Sequence, residues 1–162
     1  MDEELTGLAS QLGAILIHNG LSVTTAESCT SGWVGTSLAA VNESSRFYTS
    51  GFITYSDRSK QRVLGVSLTT LNRYTAVSEA AVSEMACGAK KITGDDIGLA
   101  VSGYAGPQGG YDGTPAGTIW FAWCLQDESV HTCKRVFDGE AEEVVRKAVK
   151  FSLCELSRLL EE

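Results

Sequence analysis

The sequence predicts an α/β fold: a three-layer α/β/α sandwich built on a mixed β-sheet. Amphipathic helical stretches alternate with short β-rich runs along most of the chain, the pattern of helices packed on both faces of a sheet. The last two β-rich runs, 118–125 and 130–137, follow each other with no helical stretch between them. That calls for an antiparallel meander in a sheet otherwise fed by helical crossovers, hence a mixed sheet. The chain has 162 residues, 43% hydrophobic and 20% charged, which suits one domain (1–162) with one core.

In chain order, residues 4–19 form the first predicted helix, with Leu5, Leu8, Leu12, Ile15 and Leu16 at helical spacing and Asn19-Gly20 as its stop. Leu21 to Thr25 is a short strand that runs into Glu27-Ser28-Cys29-Thr30-Ser31-Gly32, and a second helix follows to Val41. Phe47 to Tyr55 reads as a strand. Ser56-Asp57 is an N-cap signal for a helix carrying Arg58, Lys60, Val63 and Leu64, which Gly65 ends. The stretch through Tyr74 reads as a connection. Ser78 caps a helix with an apolar stripe of Val82, Met85, Ala86 and Ala89, and Ile97 to Val101 is a buried strand. After the two late strands, Asp138-Gly139 turns into a long final helix, where Val145, Ala148, Val149, Leu153, Leu156, Leu159 and Leu160 share a face. That stripe suits either core packing or a homo-oligomer.

The bulk numbers exclude several functions. A net charge of −7 argues against binding nucleic acid or an anionic membrane, both of which need excess Lys and Arg. No apolar run reaches the roughly 18 residues of a membrane span. The acidic start, Met1-Asp2-Glu3-Glu4, is unlike a signal or transit peptide. The five cysteines are odd in number and lack CxxC spacing, so free thiols in a reducing, cytoplasmic setting are expected. With only His18 and His131 present, a zinc site or a Ser-His-Asp triad has little material, and neither metal nor cofactor is expected.

Three places collect polar residues at strand ends. In Glu27-Ser28-Cys29-Thr30, a hydroxyl or thiol stands at a strand-to-helix turn beside free helix N–H groups, where an oxyanion can be held. The same residues also make ordinary helix caps, and Cys29 is a rival to Ser28 as nucleophile. In Tyr55-Ser56-Asp57-Arg58-Ser59-Lys60, the lysine falls in the first turn of a helix close to Arg58. Both features push its pKa down, toward a general base able to activate a serine; the alternative is a solvated helix surface. The glycine-rich loop 103–113 offers exposed N–H donors but fits neither a dinucleotide fingerprint nor a Walker loop. Together the three supply nucleophile, base and oxyanion donors for acyl transfer.

Several strings, in order, resemble the CinA C-terminal domain family: Thr25-Ala26-Glu27-Ser28-Cys29-Thr30, Gly51-Phe52-Ile53-Thr54-Tyr55-Ser56 with Lys60, Ala76-Val77-Ser78-Glu79, Ser102-Gly103-Tyr104-Ala105-Gly106-Pro107 and Pro115-Ala116-Gly117-Thr118. The resemblance runs from about residue 5 to 158. It implies a mixed-sheet α/β/α fold and hydrolysis of the carboxamide of nicotinamide mononucleotide to carboxylate and ammonia, without metal, by a serine–lysine pair. On that basis Ser28 is the expected nucleophile, Lys60 the base and Tyr55 a supporting catalytic group. Glu27, Thr30, Ser102, Gly103, Gly106 and Arg146 are the expected contacts to a small nucleotide. Three positions depart from the family pattern. Ser31 replaces a glycine, Tyr104 an aliphatic residue, and Ala141 an arginine that would bind the substrate's anionic group. Losing such a contact costs roughly 1.5–3 kcal/mol. Two functions follow: an amidohydrolase acting on a nicotinamide nucleotide or similar small amide, or an impaired paralogue that binds a ligand or serves as an accessory protein.

Overall fold

A computed structural model describes residues 2–161; Met1 and Glu162, the ends of the expected 1–162 domain, lie outside the described residues. The elements are α1 (Glu3–Asn19), β1 (Val23–Glu27), α2 (Trp33–Ala39), a short 3-10 turn (Ser44–Arg46), β2 (Tyr48–Ile53), α3 (Asp57–Leu64), α4 (Leu68–Tyr74), α5 (Glu79–Thr93), β3 (Ile97–Gly103), β4 (Thr118–Cys124), β5 (Val130–Val136) and α6 (Ala141–Glu161). Among the described residues, no helix is long and apolar enough to cross a membrane.

The five strands form one sheet in the order β2-β1-β3-β4-β5. β1 pairs in parallel with β2 and β3, whereas β3–β4 and β4–β5 are antiparallel. The expected mixed sheet and late meander are therefore both present. Side chains alternate faces along a strand, and here they sort by size. Ile97, Leu99, Val101, Ile119, Phe121 and Trp123 point to one face, where they pack with the buried sides of α1, α2 and α6. Ala26, Ala100, Ala122 and Cys124 point to the other, against Leu64, Leu71, Val82, Met85 and Ala86 of α3–α5. The small residues on that face let α5 lie close to the sheet. At Gly98 a Cβ would stand 2.2 Å from the Ala86 carbonyl oxygen, so only glycine allows this approach.

Most helix ends follow their predicted chemistry. Asp2 accepts from the Leu5 amide and Gly20 takes the left-handed conformation that ends α1. Ser56 and Ser59 form a reciprocal capping box at α3. The apolar stripe of α6 is used in the core: Ala148, Val149, Leu153 and Leu156 are fully buried, and Val145, Leu159 and Leu160 pack against them.

Several readings need correction. The stretch before Tyr74 is not a plain connection. Leu68–Tyr74 is helical, capped by Ser67, whose hydroxyl accepts from the Thr70 amide at 3.1 Å. Its threonines are poor helix formers, so local propensity hides it. β1 begins at Val23 rather than Leu21 and continues to Glu27, and β3 extends to Gly103. Both strands thus carry polar residues at their C-terminal ends, where parallel strands present ligand sites.

Replacing Gly98 by alanine should lower stability by about 1–3 kcal/mol through this helix–sheet contact. Urea unfolding reads the shift in midpoint, and an unchanged midpoint would mean that the contact is absent.

Candidate active site

From β1 the chain crosses one face of the sheet through α2 to reach β2, and it returns over the other face through α3–α5 to β3. The loops after β1 and β3 therefore part at adjacent strand ends, and a crevice opens between them. The Ser28 amide donates to the Val101 carbonyl at 3.0 Å, extending the β1–β3 ladder by one step and anchoring the first residue of the turn.

The alternation of β1 divides the work between two neighbours. Glu27 points to the α2 face and is buried. Its carboxylate accepts from the Thr30 hydroxyl at 2.6 Å and from the amides of Val34 and Gly35 at 2.9 and 3.0 Å. These are first-turn amides of α2, whose own cap position, Gly32, supplies no side chain. A carboxylate at a helix N-terminus satisfies otherwise orphaned donors and the local dipole. Glu27 and Thr30 are therefore clasps for the turn and do not line the crevice.

Ser28 points to the opposite side, toward α3, and meets Lys60. The Lys60 ammonium, only 1% exposed, donates to Ser28 Oγ at 3.0 Å, to the Thr54 carbonyl at 2.8 Å and to the Tyr55 carbonyl at 3.3 Å. Burial lowers its pKa from the ordinary lysine value, with Asp57 opposing the shift. The direction matches the sequence expectation, but the cause is desolvation rather than Arg58, which lies against a separate cavity with Arg62. Cys29 is no match for Ser28: burial pushes its thiol up to about 12 despite the nearby Lys60 charge, and the Lys60 hydrogen bonds go to Ser28, Thr54 and Tyr55 instead.

The cleft over this pair encloses about 580 Å³, within the range of small-molecule sites. Tyr55, Ser102, Gly103, Tyr104 and Gly106 all line it. Ser102 is buried and donates to the Ala76 carbonyl at 2.8 Å, tying β3 to the segment before α5. Tyr55 offers its carbonyl to Lys60 while its ring, 71% exposed, stands at the rim. No residue pattern marks the Thr54 and Tyr55 carbonyls, because every residue carries one and only the path after β2 aims these two. Thr75 was missed as well. It lines the cleft at φ 68°, ψ 172°, a conformation rare for a β-branched residue and of the kind stored at functional sites. Asp57, Tyr111 and Asp112 complete the outer wall.

Arg146 is not in this cleft. Its guanidinium donates to Asp2 at 2.6 and 3.3 Å and to Glu4 at 2.6 Å, locking α6 to the start of α1. It borders a different cavity of about 670 Å³ with Trp33, Glu140 and Glu142. Ala141, between those two glutamates, opens α6 at the same place. Ala141 is not among the residues lining the Ser28 cleft.

Ser31 does take a positive φ, 44°, but it lies beside a third cavity with Gly32 and Ile53 rather than in the cleft. The departure therefore strains the turn without filling the site. Ser31→Gly should raise stability by roughly 0.5–1 kcal/mol, the relieved left-handed strain less the added backbone entropy of glycine. Thermal unfolding checks this, and a fall in stability would mean that the serine conformation carries no strain.

The model of the CinA C-terminal domain matches residues 5–160. Protein YdeJ of Escherichia coli K12 is 44% identical over 158 residues, covering 98% of this chain and 91% of the relative. Nicotinamide-nucleotide amidohydrolase PncC of the same strain is 41% identical over 152 residues, covering 94% and 92%. Among solved structures, the competence damage-inducible protein A from Klebsiella pneumoniae superposes with a TM-score of 0.96 at 46% identity, covering 98% of both chains. On sequence and architecture together, the chain belongs to the CinA C-terminal domain family.

Proposed function

We propose that this protein is an amidohydrolase that cleaves the carboxamide of a nicotinamide nucleotide or a closely related pyridinium carboxamide, with Ser28 as nucleophile and Lys60 as base. The observation that carries the reading is the 3.0 Å contact between Ser28 Oγ and a buried Lys60 Nζ. The relatives named as nicotinamide-nucleotide amidohydrolases support the choice of substrate. An intact pair in an open cleft also favours the hydrolase over an accessory protein that only keeps the fold.

The chemistry follows from counting donors. A neutral lysine has two N–H groups and one lone pair. The Thr54 and Tyr55 carbonyls take the two N–H groups, which leaves the lone pair directed at Ser28 Oγ. The serine proton passes to Nζ as Oγ attacks the carboxamide carbon. The resulting ammonium protonates the amide nitrogen, ammonia leaves, and a serine ester remains. Lys60 then takes a proton from water, the hydroxide attacks the ester, and carboxylate departs as Ser28 recovers its proton. Ser28's own amide is spent on Val101, so oxyanion donors come from the next amides of the turn and from the glycine loop.

Ser28→Ala and Lys60→Met should each reduce ammonia release from nicotinamide mononucleotide by at least about 10³-fold while leaving the fold intact. Cys29→Ala should retain turnover. Full activity in Ser28→Ala would end the serine mechanism.

The lysine also sets a pH dependence. Because its folded pKa lies below the ordinary value, kcat should rise through one ionisation below the usual lysine range as the neutral base forms. Between the lowered and ordinary values the unfolded chain binds more protons, so stability also rises with pH across that window. Lys60→Met should abolish this part of the stability profile; an unchanged profile would show that Lys60 is not the group titrating.

A further inference from the structure

We propose that Thr75 is a substrate-binding residue: its hydroxyl donates a hydrogen bond to a ribose oxygen of the bound nicotinamide nucleotide, and its strained backbone is kept because it places that hydroxyl. This inference rests on the hydrolase reading and adds a contact to the same site. Among the described residues, four helices end on a residue of positive φ. Three of these are glycines: Gly20 after α1, Gly65 after α3 and Gly94 after α5, at φ 64°, 76° and 75°. A Cβ added at any of the three would have nothing within 4 Å, so glycine there answers the backbone angle alone. The fourth is Thr75 after α4, at φ 68°. Its ψ of 172° takes it further, into a region that essentially only glycine visits. Of the four, Thr75 is the one that lines the Ser28 cleft.

The bonds that hold this conformation do not call for threonine. The Thr75 amide donates to the Leu71 carbonyl at 3.1 Å, the Ser78 hydroxyl to the Thr75 carbonyl at 2.9 Å and the Ser102 hydroxyl to the Ala76 carbonyl at 2.8 Å. A glycine at 75 would keep all three. Only the Val77 amide, which donates to Thr75 Oγ1 at 3.2 Å, uses the side chain. One neutral hydrogen bond at most offsets a conformation this unfavourable. Local structure alone therefore does not account for a β-branched residue where the other helices use glycine.

The cleft supplies the missing reason. In accepting from Val77, the hydroxyl uses a lone pair and keeps its proton for a second partner. Thr75 shares its wall with Leu71, Ala76 and Val77. That wall is tied to the reacting serine through β3: Ser102 bonds Ala76, and its neighbour Val101 accepts from the Ser28 amide at 3.0 Å. A substrate seated with its carboxamide at Ser28 is flanked by this wall. The carboxamide oxygen is taken by backbone amides as charge develops on it, so the ribose oxygens are the neutral acceptors left for a hydroxyl.

The test measures ammonia release from nicotinamide mononucleotide and urea unfolding for the wild type and three variants. Thr75→Val keeps the branched shape without the hydroxyl; it should raise KM roughly three- to tenfold with kcat little changed. Thr75→Ser restores the hydroxyl and should recover most of that loss. Thr75→Gly should unfold at no lower urea concentration than the wild type and still show the raised KM, a split that a purely structural role would not give. Unchanged KM in Thr75→Val and Thr75→Gly would overturn the inference and leave the hydrolase reading intact. A clear loss of stability in Thr75→Gly would overturn it too, since the threonine would then be structural. If the wild type binds the nucleotide in titration calorimetry but releases no ammonia, the hydrolase reading fails. Weaker binding by Thr75→Val, recovered in Thr75→Ser, would then still uphold the contact. Equal binding by wild type and Thr75→Val, or no binding by the wild type, would overturn it.

Discussion

The turn between β1 and α2 depends on one buried carboxylate. Glu27 ends a central strand with its side chain on the α2 face, and its two oxygens gather three donors: the Thr30 hydroxyl and the Val34 and Gly35 amides. An unpaired buried carboxylate would be severely penalised, and four free amides at a helix start would be nearly as poor. Each deficit is met by the other. The result is a rigid strand-to-helix joint whose next residue, Ser28, is directed by the period of the strand to the opposite face. Glu27 thus sets the direction of the Ser28 hydroxyl without itself lining the cleft.

The partner of that hydroxyl arrives by an independent route. The capping box of Ser56 and Ser59 starts α3 just past the end of β2, and Lys60 follows within the first turns of the helix. The intervening residues leave the sheet, so their carbonyls are not used in strand pairing and turn to Lys60 instead. A lysine is then buried among three oxygens with no carboxylate in direct contact. Such an environment tolerates the neutral amine better than the cation. The low-dielectric surroundings that make the lysine costly to bury are also what lower its pKa.

Much of this was legible before the fold was known. Apolar periodicity located nearly every helix and strand, and the cap residues Ser56 and Ser78 stand where helices start. Ser28, Lys60 and the glycine loop were picked out by residue type at strand ends, and they do converge. The failures share a cause. α4 is short and rich in threonine, so its helical state comes from Ser67 and from packing on α5 rather than from propensity. Arg146 has the right charge for an anion site, but its helix leads it to Asp2 and Glu4 at the far face. Ser31 and Ala141 depart from the family pattern, but neither is among the residues lining the Ser28 cleft; Ser31 lies against a different cavity.

The sequence by itself determined the layered α/β plan, the mixed sheet and the residue types available for acyl transfer, because hydrophobic period and capping chemistry are local properties. It could not decide which polar groups share a space. That depended on strand order, which sets β1 beside β3, and on strand parity, which separates Glu27 from Ser28. It depended also on the two backbone carbonyls that hold Lys60, since backbone groups leave no mark on composition. The charge of the cleft wall is likewise a tertiary property: an acidic chain can present either sign locally, and here the fold brings Asp57 and Asp112 together while it carries Arg146 away.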